Sequence, residues 1–319
     1  MDVPVYLVNG FLESGKTSFI RTTLEDPEFR GKDHILLIVC EEGEEEYDAE
    51  ALSKVNVDLI NVEEKTDFTP EFFEDLKKRI NPDKVIIELN GVWNMEEFLD
   101  LDTPDNWVTV QIITLVNGET YINYLNNMRS LIMEHIKYSD TIIFNRCDEN
   151  TDRLAIRRSI KPVNRKAQII YETKDGIDLG EEEEEPLPFD VTADPIVIED
   201  DDFGLWYLDA LDYPKKYIGK TMKFKAMFYH EKNMGAGAIV PGRFAMQCCA
   251  NDIAFIGFIS KCPSSCKDFI ESHQNRDWIN VEAKFAHEFR REYKGKGPVL
   301  YITSLSDAER AEEEVVYFT

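Results

Sequence analysis

The sequence predicts an α/β domain with a mainly parallel sheet, followed by a smaller domain built from short strands. Three observations lead to this prediction. Over about the first 175 residues, short continuous apolar segments alternate with amphipathic ones, as in parallel sheets that helices cover on both faces. Five consecutive glutamates, residues 181–185, then interrupt the pattern. After them, short segments alternate apolar and polar residues with period two, which is typical of half-buried strands.

The strands of the first domain are predicted where nearly every residue is apolar. These segments are residues 5–8, 35–39, 85–87, 108–116, 141–144 and the weaker 168–171. A helix is predicted from Pro70 onward, because Thr69 can cap it and Glu71 places an acid in its first turn.

The second domain is predicted to begin with a short helix, which the three aspartates at residues 200–202 can cap and which ends near Pro214. Its strand candidates are residues 221–228, 243–249, 253–259, 278–285 and 299–304. Their number and spacing predict a small OB-like β-barrel. The predicted boundaries are residues 1–179 for the first domain, 180–191 for an acidic linker and 192–319 for the second domain.

The charge balance excludes several classes of partner. The 319 residues include 62 acidic and 36 basic side chains, which gives a formal net charge of −26. Such a surface repels the backbone of nucleic acids and anionic lipid. We find no signal-peptide pattern at the N-terminus and no apolar stretch of about 18 residues. The sequence therefore predicts a cytoplasmic protein that binds no nucleic acid and does not insert into a membrane.

Residues 10–17, GFLESGKT, match the phosphate-loop pattern G-x-x-x-x-G-K-[ST]. The match follows a predicted strand and precedes a helical pattern, which is the context that the motif requires. Glycines let backbone amides surround phosphates, Lys16 is expected to reach the β- and γ-phosphates, and the Thr17 hydroxyl is expected to hold Mg²⁺. The predicted nucleotide-binding residues here are Gly10, Glu13, Ser14, Gly15, Lys16, Thr17 and Ser18.

A second motif, N-x-x-D at residues 145–148, follows the predicted strand 141–144. Ligands of α/β sheets bind at this end of the strands. The Asp148 carboxylate can accept hydrogen bonds from guanine N1 and its exocyclic amine, a donor pair that adenine lacks. Asn145 and Arg146 complete the predicted base site, with Arg146 standing where most G-proteins carry lysine. GTP is therefore predicted over ATP, which stays the alternative.

These motifs resemble those of the CobW-type GTPases, relatives of HypB and UreG. The phosphate loop is similar to their GFLGSGKT, residues 40–48 (CEEGEEEYD) to their first switch NEFGEIGID, and residues 87–91 (IELNG) to their ETTG segment. The resemblance implies that Glu88 is the acid acting on Mg²⁺ or its water, and that Gly91 senses the γ-phosphate. It assigns three acids to the nucleotide-responsive switch, although each is equally explained as a solvated surface group: Glu41, Glu44 and Asp48.

The chain departs from this family in its cysteines. CobW-type proteins usually carry a C-x-C-C metal motif between the first switch and the Mg²⁺-associated acid, but residues 49–86 contain no cysteine. Thiolates are the soft ligands that hold Zn²⁺, so the family's metal transfer cannot simply be carried over. Cys40 is either a single ligand beside Glu41 or Glu44, or a small residue that ends a strand.

The second half resembles the C-terminal domain of YcgQ-type proteins. The similar stretches are residues 206–220 and 242–252, where the CC-x-x-D pattern is kept as Cys248, Cys249 and Asp252. The resemblance implies a link to metal homeostasis and to a membrane permease. A soft-metal site, possible for Zn²⁺, is predicted from Cys248, Cys249, Cys262 and Cys266. The alternative is buried thiols plus a loop pair, because Cys-x₃-Cys is a weak zinc spacing and adjacent strand residues point to opposite faces.

Two functions follow from the sequence. The first is a Mg²⁺-dependent GTPase in metal (zinc) homeostasis or in metallochaperone-like regulation of a partner, either a permease or a metalloprotein client. Its predicted catalytic residues are Lys16, Thr17 and Glu88, and slow turnover is predicted because no glutamine stands out to position water. The second is a nucleotide-bound adaptor that hydrolyses little and docks on its partner through the C-terminal domain.

Overall fold

The computed structural model describes residues 2–41, 43, 46–180, 187–231, 234, 237–246 and 253–318. The chain divides into two compact units, Met1–Glu183 and Glu184–Thr319. Of the predicted acidic linker, residues 181–186 lie outside the described residues, and its bounds stay a prediction.

The first unit is an α/β domain whose strands are mostly buried. They are β1 (Val3–Asn9), β2 (Ile35–Val39), β3 (Val57–Asn61), β4 (Lys84–Glu88), β5 (Trp107–Asn117), β6 (Thr141–Asn145) and β7 (Gln168–Tyr171). In the described part of the chain they form one seven-stranded sheet in the order β3-β2-β4-β1-β5-β6-β7, and every pairing is parallel. The predicted parallel sheet is confirmed. Strand β3 was not predicted, because Asp58 and Asn61 interrupt its apolar run.

Helices cover this sheet. They are α1 (Lys16–Glu25), α2 (Pro27–Arg30), α3 (Ala49–Lys54), α4 (Pro70–Ile80), α5 (Met95–Leu99), α6 (Tyr121–Asn127), α7 (Arg129–Tyr138) and α8 (Arg153–Ile160), with a 3₁₀ turn at Lys65–Asp67. Helix α4 begins at Pro70 as predicted, since the Thr69 hydroxyl accepts a hydrogen bond from the Phe72 amide at 3.2 Å. Its buried face carries Phe73 and Leu76.

The order of the strands places the ends of β1, β4 and β6 at one edge of the sheet. From β1 the chain crosses to β2 on one side, and β5 later pairs with β1 on the other. Ligands of open α/β sheets bind at such a reversal, outside the carboxyl ends of the strands. Val8 pairs with Glu88 and Asn117 with Asn145, so the segments that follow these strands share that edge.

The second unit is rich in β-structure. Its strands are β8 (Ile196–Val197), β9 (Thr221–Met227), β10 (Ala238–Ile239), β11 (Gly242–Met246), β12 (Ile253–Gly257), β13 (Ile259–Lys261), β14 (Trp278–Arg290), β15 (Gly295–Asp307) and β16 (Val315–Val316). Over the residues described, they form one mixed nine-stranded sheet along the path β10-β13-β15-β14-β9-β11-β12, with β8 on β9 and β16 on β11. Closure of this sheet into an OB-like barrel stays a prediction.

Helix α9 (Phe203–Asp212) packs into the core of this unit through Trp206. Helix α10 (Lys267–Ser272) stands between β13 and β14 in the chain. Asp202 occupies the N-cap position of α9 as predicted, but among the described residues its side chain caps no backbone amide. Asp200 instead forms ion pairs with Lys225 and Arg243. Asp200 therefore ties the entry of the helix to the sheet.

Along the described stretches, no helix is long and apolar enough to cross a bilayer.

Candidate functional site

The loop that follows β1 has a backbone that only glycine fits at two positions. Gly10 has φ of 138° and Gly15 has φ of 93°, both in the region that side chains disfavour. A Cβ atom on Gly10 would lie 2.2 Å from the carbonyl oxygen of Leu115, and one on Gly15 would lie 2.8 Å from Nδ2 of Asn145. Gly15 directly precedes α1, so the first amides of this helix face the loop, as in phosphate-binding loops.

Lys16 is buried at the centre of this loop. Its Nζ donates to the carbonyl oxygens of Gly10 at 2.8 Å and Phe11 at 3.0 Å. The third contact is an ion pair of 2.5 Å with Oε2 of Glu41. The other oxygen of Glu41, Oε1, accepts a hydrogen bond from the amide of Gly91 at 3.4 Å. The sequence placed Lys16 at the phosphates but did not reveal its contact with Glu41.

Glu88, at the end of β4, is buried beside α1. Its Oε1 accepts a hydrogen bond from the Thr17 hydroxyl at 2.8 Å, and its Oε2 accepts one from the Tyr47 hydroxyl at 2.5 Å. Burial raises the pKa of Glu88, and the two hydrogen bonds oppose that rise. Burial, followed by the charge of Glu88, also raises the pKa of Tyr47. Tyr47 belongs to the motif at residues 40–48, but nothing in its spacing indicated this contact.

The residues present fit a Mg²⁺ ion and a polyphosphate. Thr17 and Glu88 bring a hydroxyl and a carboxylate together at 2.8 Å, and Mg²⁺ prefers such hard oxygen ligands. One pocket is lined by most of the predicted phosphate-side residues, namely Glu13, Gly15, Lys16, Thr17, Ser18, Glu88 and Arg146. Gly10 and Ser14 contribute to the same loop.

Gly91 packs directly against the phosphate loop. A Cβ atom there would lie 2.4 Å from the carbonyl oxygen of Gly10. The carbonyl oxygen of Gly91 lies 3.0 Å from Nε2 of His135, a buried side chain on α7. Nε2 donates its hydrogen to this carbonyl, because a carbonyl oxygen can only accept. Burial lowers the pKa of His135. His135 was not predicted, because a histidine on an apolar helix face gives no signal in the sequence.

The N-x-x-D segment is tied to the phosphate loop. Nδ2 of Asn145 donates to the carbonyl oxygen of Ser14 at 2.7 Å, and Nη1 of Arg146 donates to that of Glu13 at 2.9 Å. Asp148 is exposed, and its carboxylate accepts hydrogen bonds within its own loop. The donors are the Asn150 side-chain amide at 3.3 Å, the Asn150 backbone amide at 2.9 Å and the Thr151 hydroxyl at 3.1 Å. These bonds, those from Asn150 first, lower the pKa of Asp148.

Asp148→Asn is expected to weaken GTP binding about 10- to 100-fold, because it replaces a charged acceptor for two guanine donors by a neutral amide. ATP binding is expected to change little. Competition binding with both nucleotides measures this difference. Asp105→Asn is the matched control. Asp105 is exposed in the turn that precedes β5, whereas the candidate site lies at the carboxyl ends of the strands. Equal losses for GTP and ATP would exclude Asp148 as the residue that selects guanine.

The described cysteines are free thiols. Cys40 is buried in the core of the first unit, and burial, with the charges of Glu88 and Glu41, raises the pKa of its thiol. Cys40 directly follows β2, as a residue that ends a strand does. In the second unit Cys262 packs against the core that contains Cys266, and burial raises the pKa of Cys262 to about 12.

The predicted soft-metal site is only partly visible. Cys248, Cys249 and Asp252 lie outside the described residues, as does Glu44 of the first-switch segment. Within the described ranges, no group of three or more His, Cys, Asp or Glu side chains could hold a metal ion. The four-cysteine site stays a prediction.

Comparison with known proteins divides the chain in two. The family model described as the CobW/HypB/UreG nucleotide-binding domain matches residues 4–171, and the DUF1980 C-terminal domain matches residues 175–318. The UPF0703 protein YcgQ of Bacillus subtilis (strain 168) is 24% identical over 122 residues, which are 38% of this chain and 41% of that protein. The chain thus spans less than half the length of this curated relative.

Two solved structures are similar to the chain. The Zn(II)-bound YjiA GTPase from E. coli is 20% identical, with a TM-score of 0.44. The alignment covers 56% of this chain and 60% of that one. The hydrogenase maturation factor HypB from Archaeoglobus fulgidus is 17% identical, with a TM-score of 0.36 over 55% of this chain and 82% of that one.

Proposed function

Because the chain belongs to the CobW/HypB/UreG family through its nucleotide-binding domain, we propose that it binds GTP with Mg²⁺ and hydrolyses it slowly to GDP and phosphate. The observation that carries this proposal is the convergence of Lys16, Thr17, Glu88 and Gly91 on one glycine-lined loop. Each supplies a group that phosphoryl transfer needs: a cation, two oxygen ligands and a backbone donor.

The reaction divides among these groups. Lys16 and the loop amides offset the negative charge that develops on the phosphate oxygens. Thr17 and Glu88 would hold Mg²⁺, which neutralises charge on the β- and γ-phosphates when bound. Water attacks the γ-phosphorus, the bond to the bridging oxygen breaks, and GDP keeps the electron pair of that bond. The described residues that line the pocket include no glutamine, the side chain that orients water in Ras, so slow turnover is expected.

Glu88→Gln is expected to lower Mg²⁺-dependent hydrolysis about 100-fold, because it removes the carboxylate charge beside the Thr17 hydroxyl. Single-turnover phosphate release from GTP measures it. Glu25→Gln, exposed at the end of α1, is the matched control. If Glu88→Gln hydrolyses GTP at the rate of the unaltered protein, Glu88 does not act on the metal.

An adaptor that hydrolyses little is the second candidate function. Two observations favour it: Lys16 is already paired with Glu41, and residues 49–86 lack the cysteines of the related metal-transfer motif. The same single-turnover assay, run with and without Zn²⁺, separates the two functions. Tight GTP binding without hydrolysis in either condition would support the adaptor and contradict the enzyme.

We further propose that the nucleotide state controls how the second unit acts on a permease or a metalloprotein client in zinc homeostasis. The match of residues 175–318 to the DUF1980 domain and the similarity to YcgQ support a distinct function for this unit. A cytoplasmic location belongs to the same proposal, and the free thiols of the described cysteines suit a reducing compartment. Metal analysis of the purified protein, with and without GTP and after Cys248→Ser and Cys249→Ser, tests the link to Zn²⁺. Absence of bound metal in every sample would contradict it.

A further inference from the structure

The carboxylate of Glu41 lies inside the phosphate pocket. One oxygen pairs with Nζ of Lys16 at 2.5 Å, and the other accepts the Gly91 amide at 3.4 Å. The side chains of Lys16 and Glu41 are 3% and 12% exposed, so water screens this pair little. An acid on the loop after β2 is therefore held by two groups that face the phosphates.

The ammonium group of Lys16 has no donor to spare in this arrangement. Its three hydrogens can serve three acceptors, and the structure provides three, namely the carbonyl oxygens of Gly10 and Phe11 and the carboxylate of Glu41. A terminal phosphoryl group that binds Lys16 must replace one of them. Glu41 is the acceptor that can leave without unfolding the loop, because the other two are backbone atoms of the loop itself.

Glu41 also contacts the second group that the proposed function gives to the γ-phosphate, the Gly91 amide. A carboxylate and a terminal phosphoryl group are both oxyanions with at least two free oxygens. The two cannot use Lys16 and Gly91 at once, since they would bring like charges together within hydrogen-bonding distance. GDP has no γ-phosphate, so it competes with Glu41 for at most one hydrogen of Lys16 and leaves the contact of Glu41 with the Gly91 amide in place.

We infer that Glu41 occupies the place of the γ-phosphate and sets the preference of this pocket for guanosine diphosphate over guanosine triphosphate. The inference rests on the proposed function. GTP binds only when Glu41 withdraws from Lys16 and Gly91. Tyr47, six residues further along the chain, holds Glu88 through its hydroxyl, so withdrawal of Tyr47 together with Glu41 also frees a Glu88 oxygen for Mg²⁺.

Calorimetric titration with GDP and with the non-hydrolysable analogue GMPPNP, both with Mg²⁺, tests the inference. For Glu41→Gln, the ratio of the dissociation constant of GMPPNP to that of GDP is expected to fall about tenfold, because a neutral amide competes less strongly for Lys16 than a carboxylate. The dissociation constant of GDP is expected to change less than that of GMPPNP. Glu50→Gln, exposed in the first turn of α3, is the control and is expected to leave the ratio unchanged.

Two outcomes separate this inference from the proposed function, and a folding control accompanies them. An unchanged or higher ratio in Glu41→Gln, with nucleotide bound by the unaltered protein, overturns the inference alone. Failure of the unaltered protein to bind either nucleotide overturns the proposed function and the inference with it. A circular dichroism melt of Glu41→Gln, together with its GDP binding, shows that the variant is folded, so an unchanged ratio cannot be attributed to misfolding.

Discussion

Lys16→Ala is expected to lower GTP affinity at least ~100-fold and to reduce phosphate release by a similar factor or more. Lys16 is the buried cation at the centre of the glycine loop, and alanine leaves the phosphate charge to the loop amides alone. The substitution also leaves the buried carboxylate of Glu41 without its ion-pair partner, which adds a cost to the nucleotide-free state.

Titration with GTP and single-turnover hydrolysis measure this effect. Lys78→Ala, in the exposed last turn of α4, is the control and is expected to behave as the unaltered protein does. A thermal melt of Lys16→Ala shows whether the first unit still folds. A folded Lys16→Ala protein that binds GTP with unaltered affinity would show that the nucleotide binds elsewhere.

Arg243→Ala is expected to destabilise the second unit by about 3 kcal/mol. Arg243 is 1% exposed on β11, where it pairs with Asp200 at 3.3 Å and donates to the carbonyl oxygen of Glu313. Its guanidinium lies 4.8 Å from the ring centre of Trp278. Burial lowers the pKa of Arg243, and the charge of Asp200 opposes that change. Alanine removes the pair and leaves a cavity.

Hydrogen exchange followed by mass spectrometry measures this loss in each unit separately. Peptides from β14 and β15 are expected to exchange about 100-fold faster in Arg243→Ala, whereas peptides from β4 in the first unit keep their rates. Arg291→Ala, exposed after β14, is the control. Unchanged protection of β14 and β15 in Arg243→Ala would show that the buried ion pair contributes nothing to the stability of this unit.

The parts of the fold that could be predicted are those determined by short, continuous stretches of the sequence. The strands of the first sheet were found where a continuous apolar run marks burial on both faces, as at residues 35–39. The glycine loop was found because a positive φ at Gly10 and Gly15 requires glycine at a fixed spacing. Strand β3 was missed since Asp58 and Asn61 break its pattern, and only its pairing with β2 reveals it.

The rest of the site depends on contacts between segments that are distant in the chain. The pair of Lys16 with Glu41 and the contact of Tyr47 with Glu88 join residues whose spacing carries no pattern. The acids of residues 40–48 looked alike in a chain of 62 acidic residues. Only the folded sheet distinguishes Glu41, whose carboxylate enters the pocket, from an exposed neighbour such as Glu46.

The large negative net charge of the chain does not describe the environment inside the pocket of the glycine loop. A net charge of −26 predicts repulsion of polyphosphates, yet the phosphate pocket contains a buried lysine and the start of a helix. Within it, the nearest acid, Glu41, is paired with that lysine. On the inference drawn for Glu41, a triphosphate enters this pocket by exchanging one negative group for another.

The glycine loop with Lys16, Thr17 and Glu88 is proposed to bind GTP with Mg²⁺ and to cleave it. The most direct test is phosphate release from GTP under single-turnover conditions, with Mg²⁺ and with EDTA, for the unaltered protein and for Lys16→Ala. Slow release is expected with Mg²⁺, no release with EDTA, and release at least about 100-fold slower in the variant. Release at equal rates in the variant, or no release by the unaltered protein with Mg²⁺, would contradict this proposal.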